Sequence, residues 1–177
     1  MTDYGTAESA LLQSILSGKR EVSNRKNLGP MVPIQLFQAL RLIGMGSSIE
    51  SMVGDGSRAL VYQSGHRVGM VLGGAVAPQA NKDLEKFLGL VRKLCLDLSI
   101  GQVVLEKADT NAGHLVLRVD ECVSCAGIGG AQAPICNFEA GLVGGIVKSF
   151  VGRDVRAVET RCNAVGDNTC GIEVDIL

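Results

Sequence analysis

The segment that decides the fold is the last quarter of the chain, 134-PICNFEAGLVGGIVKSFVGRDVRAVETRCNAVGDNTCGIEVDI-176. Its first part, Ile135 to Phe150, carries apolar residues at helical spacing and predicts a long helix. Its second part predicts two strands, Val155 to Thr160 and Ile172 to Ile176, on either side of a turn built on Gly166-Asp167-Asn168. The segment therefore predicts a helix that leads into a β-hairpin.

Upstream of this segment, apolar periodicity predicts further helices and a second strand pair. The helices are Thr6 to Ser17, a helix from Pro33 to the glycines near Gly44 that resumes through Val53, His66 to Val76 and Asn81 to Leu98; the strands are Arg58 to Gln63, Gln102 to Ala108 and His114 to Asp120. Because hairpins join most of the strands, we expect an α+β fold in which helices pack on an antiparallel sheet of four or five strands. A helix and connector over 1–27 precede one ligand-binding domain over 28–177.

Composition narrows the classes of function. The chain has 177 residues, a net charge of −1, 3% aromatic residues and no tryptophan. It offers neither the positive charge nor the stacking side chains that bind nucleic acid, so we expect no nucleic-acid partner. The basic cluster 19–26 is typical of a solvated connector.

The chain shows no targeting signal or membrane span. Its N-terminus has no secretory signal, and no apolar run approaches the ~20 residues that a transmembrane helix needs. We therefore expect a cytoplasmic protein without a transmembrane segment.

Nucleotide and catalytic motifs are missing from the sequence. Neither a dinucleotide-binding nor a P-loop glycine pattern follows a strand, and no Ser-His-Asp or Cys-His arrangement can be assigned, so no catalytic residue is proposed. Glycines inside the helix that follows Pro134 indicate either close helix packing or a cavity that a ligand fills. For the cavity we name Phe138, Gly141, Leu142 and Gly145 as candidate pocket residues.

The six cysteines offer a metal site in two competing versions. In a reducing compartment such cysteines are thiols, metal ligands or core residues before they are disulfides, and the apolar face of its helix predicts Cys95 to be core. Cys122 and Cys125 form a C-x-x-C, which suits a redox pair or half of a zinc site shared with Cys162 and Cys170.

The second version combines Cys136, Glu159, Cys162 and Cys170. Cys136 falls at a helix start, where the dipole favours a thiolate, and three thiolates with one carboxylate suit tetrahedral Zn²⁺. Because Glu159 and Cys162 point to opposite faces of an ideal strand, this set requires a bulge or strand end near Arg161.

The segment 134–176 resembles the C-terminal signature of the 4-vinyl reductase (4VR) domain family. The pattern is a cysteine, a glycine-rich helix, E-x-x-C, G-D and a final cysteine before the last strand. The stretches 25-RKNLGPMVPIQLFQALR-41 and 61-VYQSGHRVGMVLG-73 resemble the N-terminal half more loosely. An aromatic residue usual after the last cysteine is absent, since Gly171 follows Cys170.

The resemblance implies a fold shared with TRAPP vesicle-tethering core subunits and with phenol-responsive sensor domains. That fold is an antiparallel sheet packed with helices, often dimeric, around an apolar pocket. The resemblance also places a structural zinc on Cys136, Glu159, Cys162 and Cys170. Cys122 and Cys125 lie outside the family pattern and are alternative ligands.

We expect a stand-alone domain that binds a small hydrophobic or tetrapyrrole-like molecule. Reduction of a vinyl group needs a hydride donor, and no nicotinamide or flavin motif is present, so binding is favoured over an enzyme of tetrapyrrole metabolism. A dimeric TRAPP-like interaction module is the other alternative. A wide apolar stripe formed by Ile34, Phe37, Leu40, Leu42 and Ile43 predicts a homodimer.

Overall fold

The structure, a computed structural model, describes residues 4–18, 25 and 27–177. Its helices are α1 (Gly5–Leu16), α2 (Ile34–Ala39), a π-helix (Leu40–Ser47), α3 (Ser48–Val53), α4 (Ser57–Ala80), α5 (Leu84–Asp97) and α6 (Asn137–Val151); short 3₁₀ turns cover Gly54–Gly56 and Asn163–Val165. Its strands are β1 (Gln102–Asp109), β2 (His114–Asp120), β3 (Val155–Arg161) and β4 (Cys170–Ile176). The basic cluster 19–26 lies, apart from Arg25, outside the described residues.

The strands form one antiparallel sheet in the order β1-β2-β4-β3. Leu115, Leu117 and Val119 of β2 are buried and alternate with less buried neighbours, as expected of a strand with one face on the core. The predicted α+β class, with four strands and helices packed on the sheet, is confirmed.

Helices α4 and α6 pack with their backbones in contact. A Cβ on Gly65 would lie 1.9 Å from the carbonyl oxygen of Phe138, and one on Gly141 would lie 2.0 Å from that of Tyr62. Gly69 and Gly145 make equally close approaches. These glycines are required by the helix crossing, which is the close packing that the sequence offered as one of two explanations.

Two hydrophobic cores lie on the two sides of α6. One core joins α6 to the sheet and includes five of the cysteines; the other joins α6 to α4 and α5 around Phe87 and Leu142. Leu12 and Ile15 attach α1 to the second core. Cys95 is buried in this core, as the sequence predicted.

Two predictions near the N-terminal half are wrong. Residues 58–63 are not a strand but the first turns of α4, because a short apolar run has no period of its own and the buried residues Val61 and Gly65 continue the stripe that packs on α6. The glycines at 44 and 46 do not end the second helix, which continues as a π-helix into α3.

Among the described residues, no helix combines the length and apolar character that a membrane span requires.

Candidate functional site

Five cysteines and one glutamate converge at one end of the sheet. Cys122 and Cys125 come from the loop after β2, Cys136 is the N-cap of α6, Glu159 lies in β3, Cys162 follows β3, and Cys170 begins β4. Each of the five cysteines is at most 4% exposed. The sequence had divided these residues between two competing sites, and the structure brings them all into one cluster.

The cluster contains two overlapping quartets of donors. Within each quartet the ligand atoms lie within 4.8 Å of one another. The first is Cys136, Glu159, Cys162 and Cys170; the second is Cys122, Cys125, Cys136 and Cys170. The C-x-x-C thus lies beside Cys136 and Cys170 and does not complete a quartet with Cys162.

The thiols lie close together. The Sγ atoms of Cys136 and Cys162 are 3.9 Å apart, those of Cys122 and Cys136 are 4.0 Å apart, and those of Cys125 and Cys170 are 3.2 Å apart. Sulfur atoms bound 2.3 Å from one tetrahedral zinc would be about 3.8 Å apart. Two of the three separations therefore match ligation of a shared ion closely.

Glu159 enters the cluster through a strand irregularity. The β3–β4 register shifts between Glu159 and Arg161, which is the distortion that the sequence required near Arg161. One carboxylate oxygen, Oε2, accepts a hydrogen bond of 2.7 Å from the backbone N–H of Cys136. The other, Oε1, is buried without a hydrogen-bond partner.

Burial raises the pKa of Glu159 to about 7, against the hydrogen bond from the Cys136 backbone, which lowers it. An unpartnered buried carboxylate oxygen is costly, and a cation beside it would remove that cost. Three thiolates and one carboxylate are a donor set that Zn²⁺ accepts in tetrahedral geometry. The residues present therefore fit a zinc ion.

The loops around the cluster hold the cysteines in place. The backbone N–H of Cys162 donates to Asp167 Oδ2 at 2.8 Å, and Gly166 has the positive φ of 105° that closes this turn. In the other loop, the N–H groups of Cys125 and Ala126 donate to the carbonyl of Cys122. Both loops are fixed by backbone hydrogen bonds and not by the thiols alone.

A buried ion pair, which the sequence reasoning missed, lies between the cluster and α2. Arg41 binds both carboxylate oxygens of Glu139, at 3.2 and 3.0 Å, and Ser124 donates to the same carboxylate. Arg41 also lies 4.5 Å from the ring centre of Phe138. The available signal was the spacing of Gln38 and Arg41, which places two polar residues on one helical face.

An apolar cavity of about 50 Å³ lies between α5, the sheet and α6. Its lining includes Val91, Cys95, Val119, Leu142 and Ile146, with the carboxylate-bearing Glu139 as its ionisable residue among otherwise apolar and thiol side chains. Burial raises the pKa of the Cys95 thiol to about 11, so this thiol is neutral at physiological pH.

The proposed pocket residues fall in different places. Leu142 lines the cavity. Phe138 lies under Arg41, and Gly141 and Gly145 lie against the backbone of α4.

A larger cleft of about 360 Å³ opens between the π-helix, the start of α4 and the start of α6. It is more open and more polar than the cavity, since Glu50, Arg58 and Asn137 contribute to its walls. The arginine at its base, Arg41, is already paired with Glu139.

The segment from α2 to the π-helix has its polarity reversed. Gln38 and Arg41 are buried, whereas Leu36, Leu40 and Ile43 are 49–62% exposed. These three residues, spaced by four and three positions, form one exposed apolar stripe on the helix surface. A stripe of this kind marks a surface that another molecule covers.

Comparison with known proteins gives several matches. A model of the 4-vinyl reductase (4VR) domain matches residues 115–176. The uncharacterized protein MJ0150 of Methanocaldococcus jannaschii is 32% identical over 153 residues, which cover 85% of this chain and 80% of that protein. The uncharacterized protein MJ0745 of the same organism is 28% identical, over 90% of this chain and 77% of that protein.

Solved structures share the fold. A vinyl-4-reductase family protein from Methanocaldococcus jannaschii superposes with a TM-score of 0.67 at 16% identity, covering 100% of this chain and 99% of the other. The phenol-responsive sensory domain of the transcription activator PoxR, with phenol, gives 0.65 at 18%, covering 97% and 90%. Trafficking protein particle complex subunit 3 from Naegleria fowleri, covalently bound to palmitic acid, gives 0.59 at 14%, covering 81% and 96%.

Proposed function

We propose that this chain, which belongs to the 4-vinyl reductase (4VR) domain family, binds a small hydrophobic molecule in the cavity between α5, the sheet and α6. The observation that carries the proposal is the interior space itself: it lies between the two cores, its lining is almost wholly apolar, and one buried carboxylate borders it. Apolar walls with few polar groups are typical of small-molecule sites. The phenol-responsive PoxR domain, which shares the fold, supports the same class of ligand.

The size of the cavity constrains how a ligand enters. An engineered cavity of about 150 Å³ in another protein binds benzene, whereas this cavity measures about 50 Å³. A ring-sized ligand therefore requires α5 to move away from the sheet or side chains such as Leu142 and Val91 to change rotamer. A tetrapyrrole would require a much larger opening, so a compact aromatic or aliphatic ligand is the better fit.

A substitution that fills the cavity tests this proposal. Val91→Phe places a larger side chain in the cavity wall, while Leu96→Phe changes the exposed side of the same helix. Phenol, the probe, should raise the melting temperature of the wild-type protein and of Leu96→Phe, and should have no effect on Val91→Phe. An equal effect of phenol on both variants, or none on the wild type, would contradict the proposal.

The proposed cofactor is a structural zinc on Cys136, Glu159, Cys162 and Cys170. The unpartnered Glu159 Oε1 supports this assignment. Four protein ligands leave no position for substrate, so the ion would tie the start of α6 to the β3–β4 hairpin. Cys122 and Cys125 are the alternative ligands, through the second quartet.

The proposed oligomer is a homodimer formed through the stripe of Leu36, Leu40 and Ile43. The exposure of these residues, beside buried Gln38 and Arg41, supports an interface because burial on a partner recovers their hydrophobic stabilisation. The same observation favours the second candidate function, a dimeric interaction module like the tethering subunits. Phenol binding by a dimer would favour the first function, and a dimer that binds no small molecule would favour the second.

A further inference from the structure

We infer that the thiol cluster holds two divalent metal ions that share Cys136 and Cys170 as bridging ligands. The inference rests on the proposed zinc site for one of the two ions and adds a second ion beside it. The second ion is bound by Cys122, Cys125 and the two shared thiolates. The centre is then a binuclear thiolate-bridged site and not a choice between two mononuclear ones.

The geometry that points to this arrangement is the overlap of the two quartets. Each quartet has four donor atoms within 4.8 Å, and the two have Cys136 and Cys170 in common. A thiolate sulfur has enough lone pairs to bind two cations. Each ion thereby obtains the four ligands of a closed tetrahedral site without any further residue.

One ion alone leaves buried donors unused, whichever quartet holds it. An ion in the Glu159 quartet leaves two buried thiols against it: Cys125 Sγ is 3.2 Å from Cys170 Sγ, and Cys122 Sγ is 4.0 Å from Cys136 Sγ. An ion in the all-cysteine quartet leaves Glu159 Oε1 buried without a partner. Two ions use every donor.

Charge does not oppose the second ion. When an ion enters beside Cys122 and Cys125, their two thiol protons leave, so the net charge of the buried centre stays the same. The helix N-terminus at Cys136 stabilises the negative charge of a bridging thiolate. Five thiolates and one carboxylate select a thiophilic ion such as Zn²⁺, or Cd²⁺ used as a probe.

Metal counting on the full chain tests the inference. Protein purified in reducing buffer without chelator should carry two zinc ions per chain by elemental analysis and native mass spectrometry. The double variant Cys122→Ser/Cys125→Ser should carry one ion, and so should Glu159→Gln/Cys162→Ser. Cys95→Ser, which removes the cysteine outside the cluster, is the control and should keep two ions.

The bridge itself has a separate readout that needs no variant. After exchange with ¹¹³Cd²⁺, the wild-type protein should give two ¹¹³Cd resonances that are scalar-coupled through the shared sulfurs. Two resonances without coupling would overturn the bridge even if two ions are bound. This measurement also decides the matter if a double variant fails to fold.

The remaining outcomes separate this inference from the proposed zinc site. One ion per chain that survives Cys122→Ser/Cys125→Ser overturns the second ion and leaves the proposed site intact. One ion that is lost in that variant overturns both and assigns a mononuclear all-cysteine site. Iron with acid-labile sulfide, or no metal in the wild type, overturns both assignments as well.

Discussion

The backbone N–H of Cys136 donates a 2.7 Å hydrogen bond to Glu159 Oε2, while Oε1 of the same carboxylate is buried and unpartnered. This contact joins the first turn of α6 to the distorted end of β3. Half of the carboxylate therefore serves the fold, and the other half is available to a metal ion.

The first prediction concerns the pH dependence of the metal-free protein. Burial raises the pKa of Glu159 from 4.5 to about 7, so the folded state holds this proton more tightly than the unfolded chain does. The resulting stabilisation is complete below pH 4.5 and is lost as the pH rises through 7. It amounts to on the order of 3 kcal/mol at most, at 1.36 kcal/mol per pKa unit.

Urea unfolding of the chelated protein at pH 5 and pH 8 measures this loss. The variant Glu159→Gln carries no titrating group at this position, so its free energy of unfolding should change less between the two pH values. Equal changes in the two proteins would show that Glu159 titrates normally. Zinc should reverse the trend, because it binds the deprotonated ligands and binds more tightly as the pH rises.

The second prediction concerns the thermal stability of the metallated protein. Chelation should lower the melting temperature, because the ion connects α6 to the hairpin that carries Cys162 and Cys170. Cys170→Ser should lose metal and stability together, and chelator should then have little further effect on it. Cys95→Ser should keep its response to chelator. A melting temperature that chelator leaves unchanged in the wild type contradicts a structural metal.

The metal cluster shows what sequence could and could not predict. The spacing of Cys136, Glu159, Cys162 and Cys170, together with the required distortion at Arg161, gave the quartet before any coordinates. The contact of Cys122 and Cys125 with the same cluster could not be read from spacing, because it depends on where the loop after β2 lies relative to α6.

The helices show a similar division. The strands β1 and β2 were predicted from alternation, which one buried sheet face imposes directly. The first turns of α4 were misread as a strand because glycine lowers helix propensity. In this protein the tertiary contact between Gly65 and Phe138 outweighs that local preference.

The third prediction tests the close crossing of α4 and α6. Gly69→Ala would place a Cβ 2.1 Å from the carbonyl oxygen of Leu142, so the helices must separate, at a cost of about 1–3 kcal/mol or more. Gly74→Ala, in the same helix but facing open space, should stabilise the protein by about 0.5–1 kcal/mol. Urea denaturation of both variants measures the difference. A stabilised Gly69→Ala would show that the helices do not pack this closely.

The fourth prediction concerns the buried ion pair of Arg41 and Glu139, which is 3.0 Å long. Arg41→Met leaves the Glu139 carboxylate buried without its charge partner and should cost about 3–5 kcal/mol of unfolding free energy. Arg41→Met/Glu139→Gln removes both charges and should recover part of that loss. Strictly additive effects of the two substitutions would contradict coupling between these residues.

The last prediction concerns the exposed stripe on α2 and the π-helix. Leu40 and Ile43 are 60% and 62% exposed, and a two-fold interface through this stripe would bury both on each protomer. Leu40→Glu/Ile43→Glu should therefore convert a dimer into a folded monomer, because charged side chains buried without partners oppose association. Sedimentation velocity at micromolar concentration measures the change, with circular dichroism as the check on folding. Met52→Glu, at a 79% exposed apolar site outside the stripe, is the matched control and should remain dimeric. A wild-type protein that sediments as a monomer, or a stripe variant that stays dimeric, would move the interface elsewhere or remove it.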